Sequence, residues 1–183
     1  MLVCMKTAAF LIVLFATPAI AACPPSPNII DDETALFERI QAAENEMAAR
    51  AFSLSLWDLW TKAPDAPAQA LLDQGMNARA SYDYLRAIEA LDRLVDYCPD
   101  YAEGYNQRAF VNFLREDYET ALVDLDRAIE LSPRHTGALT GKALTLIGLG
   151  RIEDAQPLLK EAVALNPWLS ERHLIIEPPG EEL

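Results

Sequence analysis

Few side chains of this chain are of a kind that performs covalent chemistry. They are two histidines, His135 and His173, three cysteines, Cys4, Cys23 and Cys98, and several close carboxylates. A zinc site needs Cys or His ligands at short, regular spacings, and neither histidine has such a neighbour. No C-x-x-C occurs, which removes the usual dithiol redox motif. No G-x-S-x-G, H-E-x-x-H or phosphate-cradling glycine loop is present either. The "GLGR" stretch at 148–151 holds a glycine pair that reads as a turn between two helices. Asp124 and Asp126 lie two apart, so on a helix they point in different directions and do not form an acid/base couple. Glu181 and Glu182 fall in a tail. All four carboxylates read as solvated surface, and His135, just after Pro133, reads as an exposed turn residue. The expectation is no enzyme, no catalytic residue, no metal and no cofactor.

The N-terminus carries a different signal. Lys6 is the only charge before Asp31, an apolar run covers Ala8 to Ala16, and Ala19-Ile20-Ala21 has the small-x-small form of a cleavage site. This pattern predicts a secretory signal over residues 1–22, with export to a periplasmic or comparable compartment. Its apolar run is shorter than the roughly 20 residues that span a bilayer. Cleavage after Ala21 gives a chain starting at Ala22. A second reading stays open, because "IAAC" (20–23) resembles the lipobox of bacterial lipoproteins. That resemblance implies a lipid on Cys23 and attachment to a membrane face. Export also permits a Cys23–Cys98 disulfide. The plainer reading leaves Cys23 as a thiol or lipid site in the Pro-rich leader 23–31 and Cys98 as a packed or semi-exposed thiol.

Once Lys6 leaves with the signal, 14 basic residues face 28 acidic ones. Such an excess of carboxylates repels nucleic-acid phosphates and anionic lipid, so nucleic acid is excluded as a partner.

The rest of the chain is helical in pattern. Asp31 and Asp32 offer an N-cap to a first helix over about 32–43, where Leu36, Phe37 and Ile40 recur at helical spacing. A second helix over about 46–62 carries Met47, Phe52, Leu56, Leu59 and Trp60 and stops at Pro64. Together they form a hairpin, 32–63. From Ala68 a period of 34 residues takes over, in copies 68–101, 102–135 and 136–169. The eighth positions are Gly75, Ala109 and Ala143, and the twentieth are Ala87, Ala121 and Ala155. The twenty-seventh are Leu94, Ala128 and Ala162, and the thirty-second are Pro99, Pro133 and Pro167. Small side chains let paired helices approach to about 8–10 Å. Proline ends the second helix of each pair. Only Leu94 departs from the pattern. Pro157 should kink the last helix or delay its start, and 170–183 should fold back for a turn or two and then trail from Glu177.

The period, the small residues and the prolines together resemble the tetratricopeptide repeat family, over about 68–169. The resemblance implies an all-α fold, a right-handed superhelix of stacked antiparallel helix pairs, with the hairpin as an N-terminal cap. It also implies a concave face made by the first helix of each pair, where a protein or peptide binds. Carried onto this sequence, the groove residues are Leu72, Met76, Arg79, Glu103, Asn106, Phe110, Phe113, Thr140 and Leu144. Met76, Gln107, Gly137 and Gly141 stand where the family's carboxylate clamps hold Lys, Asn or Arg, which argues against a clamp for chaperone tails. Two readings of the groove stay open: an apolar ligand surface, or core covered by the hairpin. The functional expectation is an exported scaffold or adaptor for protein–protein interaction in a bacterial envelope. The alternative is a lipid-anchored envelope protein acting through self-association, as a weak homo-oligomer joined at an incompletely covered C-terminal edge.

Overall fold

Three residues with left-handed backbone mark the array's rhythm. Tyr82 and Glu116 (both φ 61°) and Gly150 (φ 75°) stand one repeat apart. Each follows the C-terminus of a first helix and lets the next amide reach back, Asp83 to Ala78, Asp117 to Asn112 and Arg151 to Leu146. These bonds satisfy carbonyls that the helix end would otherwise leave open. The computed structural model describes residues 22–176; residues 1–21, which hold Cys4 and all but the last residue of the expected signal 1–22, and the tail from Glu177 lie outside the described residues.

The described residues form eight α-helices and a short 3-10 turn. The helices are α1 (Ile30–Gln41), α2 (Glu46–Trp60), α3 (Ala66–Ala80), α4 (Tyr84–Tyr97), α5 (Ala102–Leu114), α6 (Tyr118–Leu131), α7 (Thr136–Gly148) and α8 (Ile152–Leu165). The turn is Ser170–Leu174. Helices α3/α4, α5/α6 and α7/α8 are the three pairs; α4 packs on α5 and α6 on α7, and successive first helices adjoin. The result is the expected all-α stack of antiparallel pairs.

The small residues sit at the crossings. Ala87, Ala109, Ala121, Ala128, Ala143, Ala155 and Ala162 are fully buried. At Gly75 even a Cβ would come within 2.6 Å of Leu91 Cγ. Leu94, the one large residue at a small position, is accommodated by Gly104, where a Cβ would meet Leu94 Cγ at 3.3 Å. Asp83 and Asp117 accept the amides of Arg86 and Thr120 and so cap α4 and α6. Helix α8 begins in the same register despite Pro157, so its start is not delayed. Proline lacks one donor, and the helix continues around that gap.

The hairpin α1/α2 lies along the side of the array, across the turns that follow Pro99, Pro133 and Pro167. Tyr101 donates its hydroxyl to the Trp60 carbonyl at 2.8 Å. Trp60 stacks on His135 at 4.0 Å, and Arg134 lies over Phe37 at 4.8 Å. Gln41 donates to the Ala164 carbonyl, and Trp168 Nε1 donates to the Ile40 carbonyl. Phe37, Ile40, Leu56 and Trp60 form its core, with Leu165 and Trp168 of the array against them.

Several local expectations need correction. Helix α1 begins at Ile30, so Asp31 and Asp32 occupy its first turn instead of capping it. They act there by charge on the helix dipole. Asp124 is buried and held by Arg108 at 2.6 and 2.9 Å, so it is not solvated surface. That pairing, before all else its hydrogen bond, holds the Arg108 guanidinium above its ordinary pKa. Cys23 is bonded to Cys98, which is buried at the end of α4. A sulfur in a disulfide carries no thioether, so lipidation of Cys23 and membrane attachment through it give way. At the other end, Gln156 donates to the Leu174 carbonyl and accepts from the Ile176 amide, which folds the 3-10 turn onto α8.

Candidate functional site

The concave side is built in two layers. The deeper one is polar. Glu103, in the first turn of α5, is 1% exposed, yet its carboxylate receives three donors. Asn106 Nδ2 and Gln107 Nε2 donate at 3.0 and 2.5 Å from the same helix. His135 Nε2 approaches at 2.8 Å from the N-cap of α7. The His135 Nδ1 atom accepts the Ala138 amide at 3.1 Å. That assigns the ring proton of the neutral form to Nε2, which then donates to Glu103. Trp60 covers the imidazole, and its indole N–H donates to Glu33 Oε1 at 3.0 Å. The His135 ring is 0% exposed, contrary to its reading as an exposed turn residue. It caps α7, a task usually given to Ser, Thr, Asp or Asn, and the buried Glu103 carboxylate and the Trp60 face hold it inward.

Burial and nearby charge perturb two neighbours. Burial pushes the Tyr101 phenol well above its ordinary pKa, with help from Glu103 and Asp73. Arg79 is lowered by burial, against the opposing pull of Glu103. Its guanidinium lies over the Phe110 ring at 4.4 Å, and its Nε has no hydrogen-bond partner among the described residues.

The outer layer is an apolar pocket of about 230 Å³ between α2, α5, α6, α7 and the 3-10 turn. Phe110, Phe113, Leu125 and Leu144 form its walls, with Asn106, Gln107, Thr140 and Thr145 among its polar boundary. Phe110 is 41% exposed. Gly137 and Gly141 give α7 a low profile facing it. Of the expected groove residues, Asn106, Phe110, Phe113, Thr140 and Leu144 meet here. Glu103 lies beneath, bonded to Asn106 and Gln107. Leu72 and Met76 belong to the core of the first pair, and Arg79 lies over the Phe110 ring without lining the pocket. Thr140 is buried and donates to the Thr136 carbonyl.

Sequence reasoning missed Trp57, Leu125 and Glu171, all of which line the pocket. Trp57 comes from the hairpin, three residues before Trp60, and two tryptophans on one helix were the available signal. Leu125 comes from a second helix, whereas the expected groove is made by first helices only. No pattern marked Glu171.

Among the described residues no group of His, Cys, Asp and Glu could hold a metal ion. A stack of antiparallel helix pairs with an apolar concave pocket defines a helical repeat scaffold. Residues 113–168 match the family model described as Tetratricopeptide repeat. A TPR repeat-containing protein of Rhizobium etli is 35% identical over 92 residues, 50% of this chain and 40% of its own length. Human tetratricopeptide repeat protein 36 is 32% identical over 116 residues, 61% of each chain. This chain thus spans about 40 to 61% of these two relatives. The TPR2B domain of yeast Sti1, in complex with an Hsp70 peptide, superposes with a TM-score of 0.55 at 24% identity, over 59% of this chain and 90% of that one. The first TPR of Spaghetti (RPAP3), bound to the HSP90 peptide SRMEEVD, gives 0.57 at 21%, over 59% and 90%. At these identities the structures establish the fold.

Proposed function

We propose that this chain is an exported tetratricopeptide-repeat scaffold of the bacterial envelope that binds a segment of another protein in its concave pocket. The observation that carries the reading is the apolar pocket of about 230 Å³, with Phe110 exposed at its mouth. An exposed aromatic beside an apolar hollow is the usual form of an anchor site at protein interfaces. Solved structures of the same fold hold peptides of HSP70 and HSP90, which supports peptide binding as the kind of task. The cationic clamp positions hold Met76, Gln107, Gly137 and Gly141, which favours an apolar ligand over a carboxylate tail. The Cys23–Cys98 disulfide supports export, because such bonds persist in oxidising compartments.

A photo-reactive residue placed at Phe110, and a control at Val123 on the outer face, test the groove in cells. Adducts from position 110 that are absent from 123 and are lost on Leu144→Trp are expected. Equal adducts from both positions would remove the pocket from the account. Export is read separately from cell fractions and the mass of the mature N-terminus, where a chain beginning at Ala22 with both cysteines oxidised is expected.

A further inference from the structure

The pocket is small, and the one charged residue of its lining is acidic. A cavity of roughly 150 Å³ takes benzene, and drug-sized ligands fill about 300 Å³ or more. At about 230 Å³ this pocket suits one large side chain, a ring or a branched aliphatic. Trp57 closes one side and the 3-10 turn bounds another, so the hollow receives a single knob in preference to a length of extended chain.

Glu171 is the one charged residue of its lining, and the Glu103 carboxylate lies behind Asn106 and Gln107. One cation beside the pocket, Arg79, is pressed against Phe110 and shares the field of Glu103. Three further cations are held in ion pairs: Arg108 by Asp92 and Asp124, Lys142 by Asp126, and Arg172 by Glu46. With a formal net charge of -13, the chain as a whole presents an excess of carboxylates to an approaching partner. Fields of this kind attract opposite charge over about a Debye length and repel like charge.

We infer that the pocket takes one large apolar side chain from a partner segment whose flanking residues are basic. This rests on the reading of the pocket as the binding site and adds the chemistry of its ligand.

Fluorescein-labelled peptides with a Leu-Trp-Leu core, flanked by lysines, serines or glutamates, test it by anisotropy with the disulfide-bonded chain. The lysine-flanked peptide should bind about tenfold more tightly than the glutamate-flanked one at low salt, and the gap should shrink near ~0.3 M salt. Glu171→Lys should reduce that advantage by about threefold, since it reverses the charge at the rim. Leu144→Trp, which fills the pocket and keeps its charge, should abolish binding, and Phe110→Ala should weaken it should the filled variant fold poorly. A glutamate-flanked peptide that binds as tightly, and is still lost on Leu144→Trp, overturns the basic flank and leaves the pocket as the site. Binding that ignores both Leu144→Trp and Phe110→Ala, or no binding by any peptide, overturns the pocket reading and this inference together.

Discussion

At the scale of single residues the polar layer under the pocket is organised around one buried carboxylate. Glu103 has two oxygens and three donors aimed at them, from Asn106, Gln107 and His135. A buried carboxylate is tolerable only when its hydrogen bonds are complete, and here they are supplied by two helices. Glu103→Gln would turn one oxygen into a donor facing donors. It should lower stability by about 2 kcal/mol, seen as a fall in the denaturant midpoint at unchanged slope. Tyr101 makes a pH prediction. Its phenol has a raised pKa in the folded state, caused first by burial, against an ordinary value of 10.0. The unfolded chain therefore loses this proton first as pH climbs. The stabilisation is fully present below pH ~10 and falls above it, by at most about 1.4 kcal/mol per pH unit. Tyr101→Phe should cost about 1 kcal/mol at neutral pH through the lost bond to Trp60, and should flatten the loss between pH ~10 and ~11. An unfolding midpoint that falls as steeply in the variant would assign the alkaline loss elsewhere.

At the scale of elements, each helix pair relies on one left-handed residue, and only the third uses glycine. Gly150 has open space where a Cβ would go, so Gly150→Ala isolates the backbone cost. It should destabilise by about 1 kcal/mol, and Glu116→Gly at φ 61° should gain a comparable or smaller amount. Thermal midpoints moving in opposite directions check both; movement in one direction would refute the strain argument. The helix pairs were legible because their determinants repeat: a small residue or proline at a fixed place in three copies stands out from chance. Phe110, Phe113 and Leu144 were legible for the same reason, since repeat register fixes the face of a helix. His135, Trp57 and Glu171 were not. Their positions depend on how the hairpin and the terminal turn dock, and that docking rests on unique side chains. Gln41 with Ala164, Arg134 with Thr34, and Asn166 with Ser53 are pairs separated by 123, 100 and 113 residues. No local period encodes such contacts.

At the scale of the whole molecule, the disulfide and the hairpin form one device. Repeat arrays owe their stability to neighbour-on-neighbour contacts and are free to open from their ends. Here the leader is tied to the end of α4 by Cys23–Cys98, and its Ser26 donates to the Asp100 carbonyl. The chain then runs directly into α1, so the bond also keeps the hairpin near the turns it covers. The bridge closes 75 residues of sequence, for which loop-closure entropy gives about 4 kcal/mol. Replacing both cysteines by serine should therefore lower unfolding free energy by about 2 to 4 kcal/mol, and adding reductant to the native chain should do the same. The loss should be unevenly placed. Hydrogen exchange should quicken first in α1 and α2, whose hold on the array is made by side chains, and least in α5 to α8. Because Trp57 and the Trp60–His135 stack belong to that hairpin, pocket and tether should fail together. Loosening α1 and α2 removes one wall of the pocket and uncovers Glu103, so the serine variant should bind the pocket's ligand more weakly even at temperatures where its repeats stay folded. Faster exchange spread evenly over all eight helices would show that the disulfide stabilises the array as a unit and leaves the hairpin's docking independent of it.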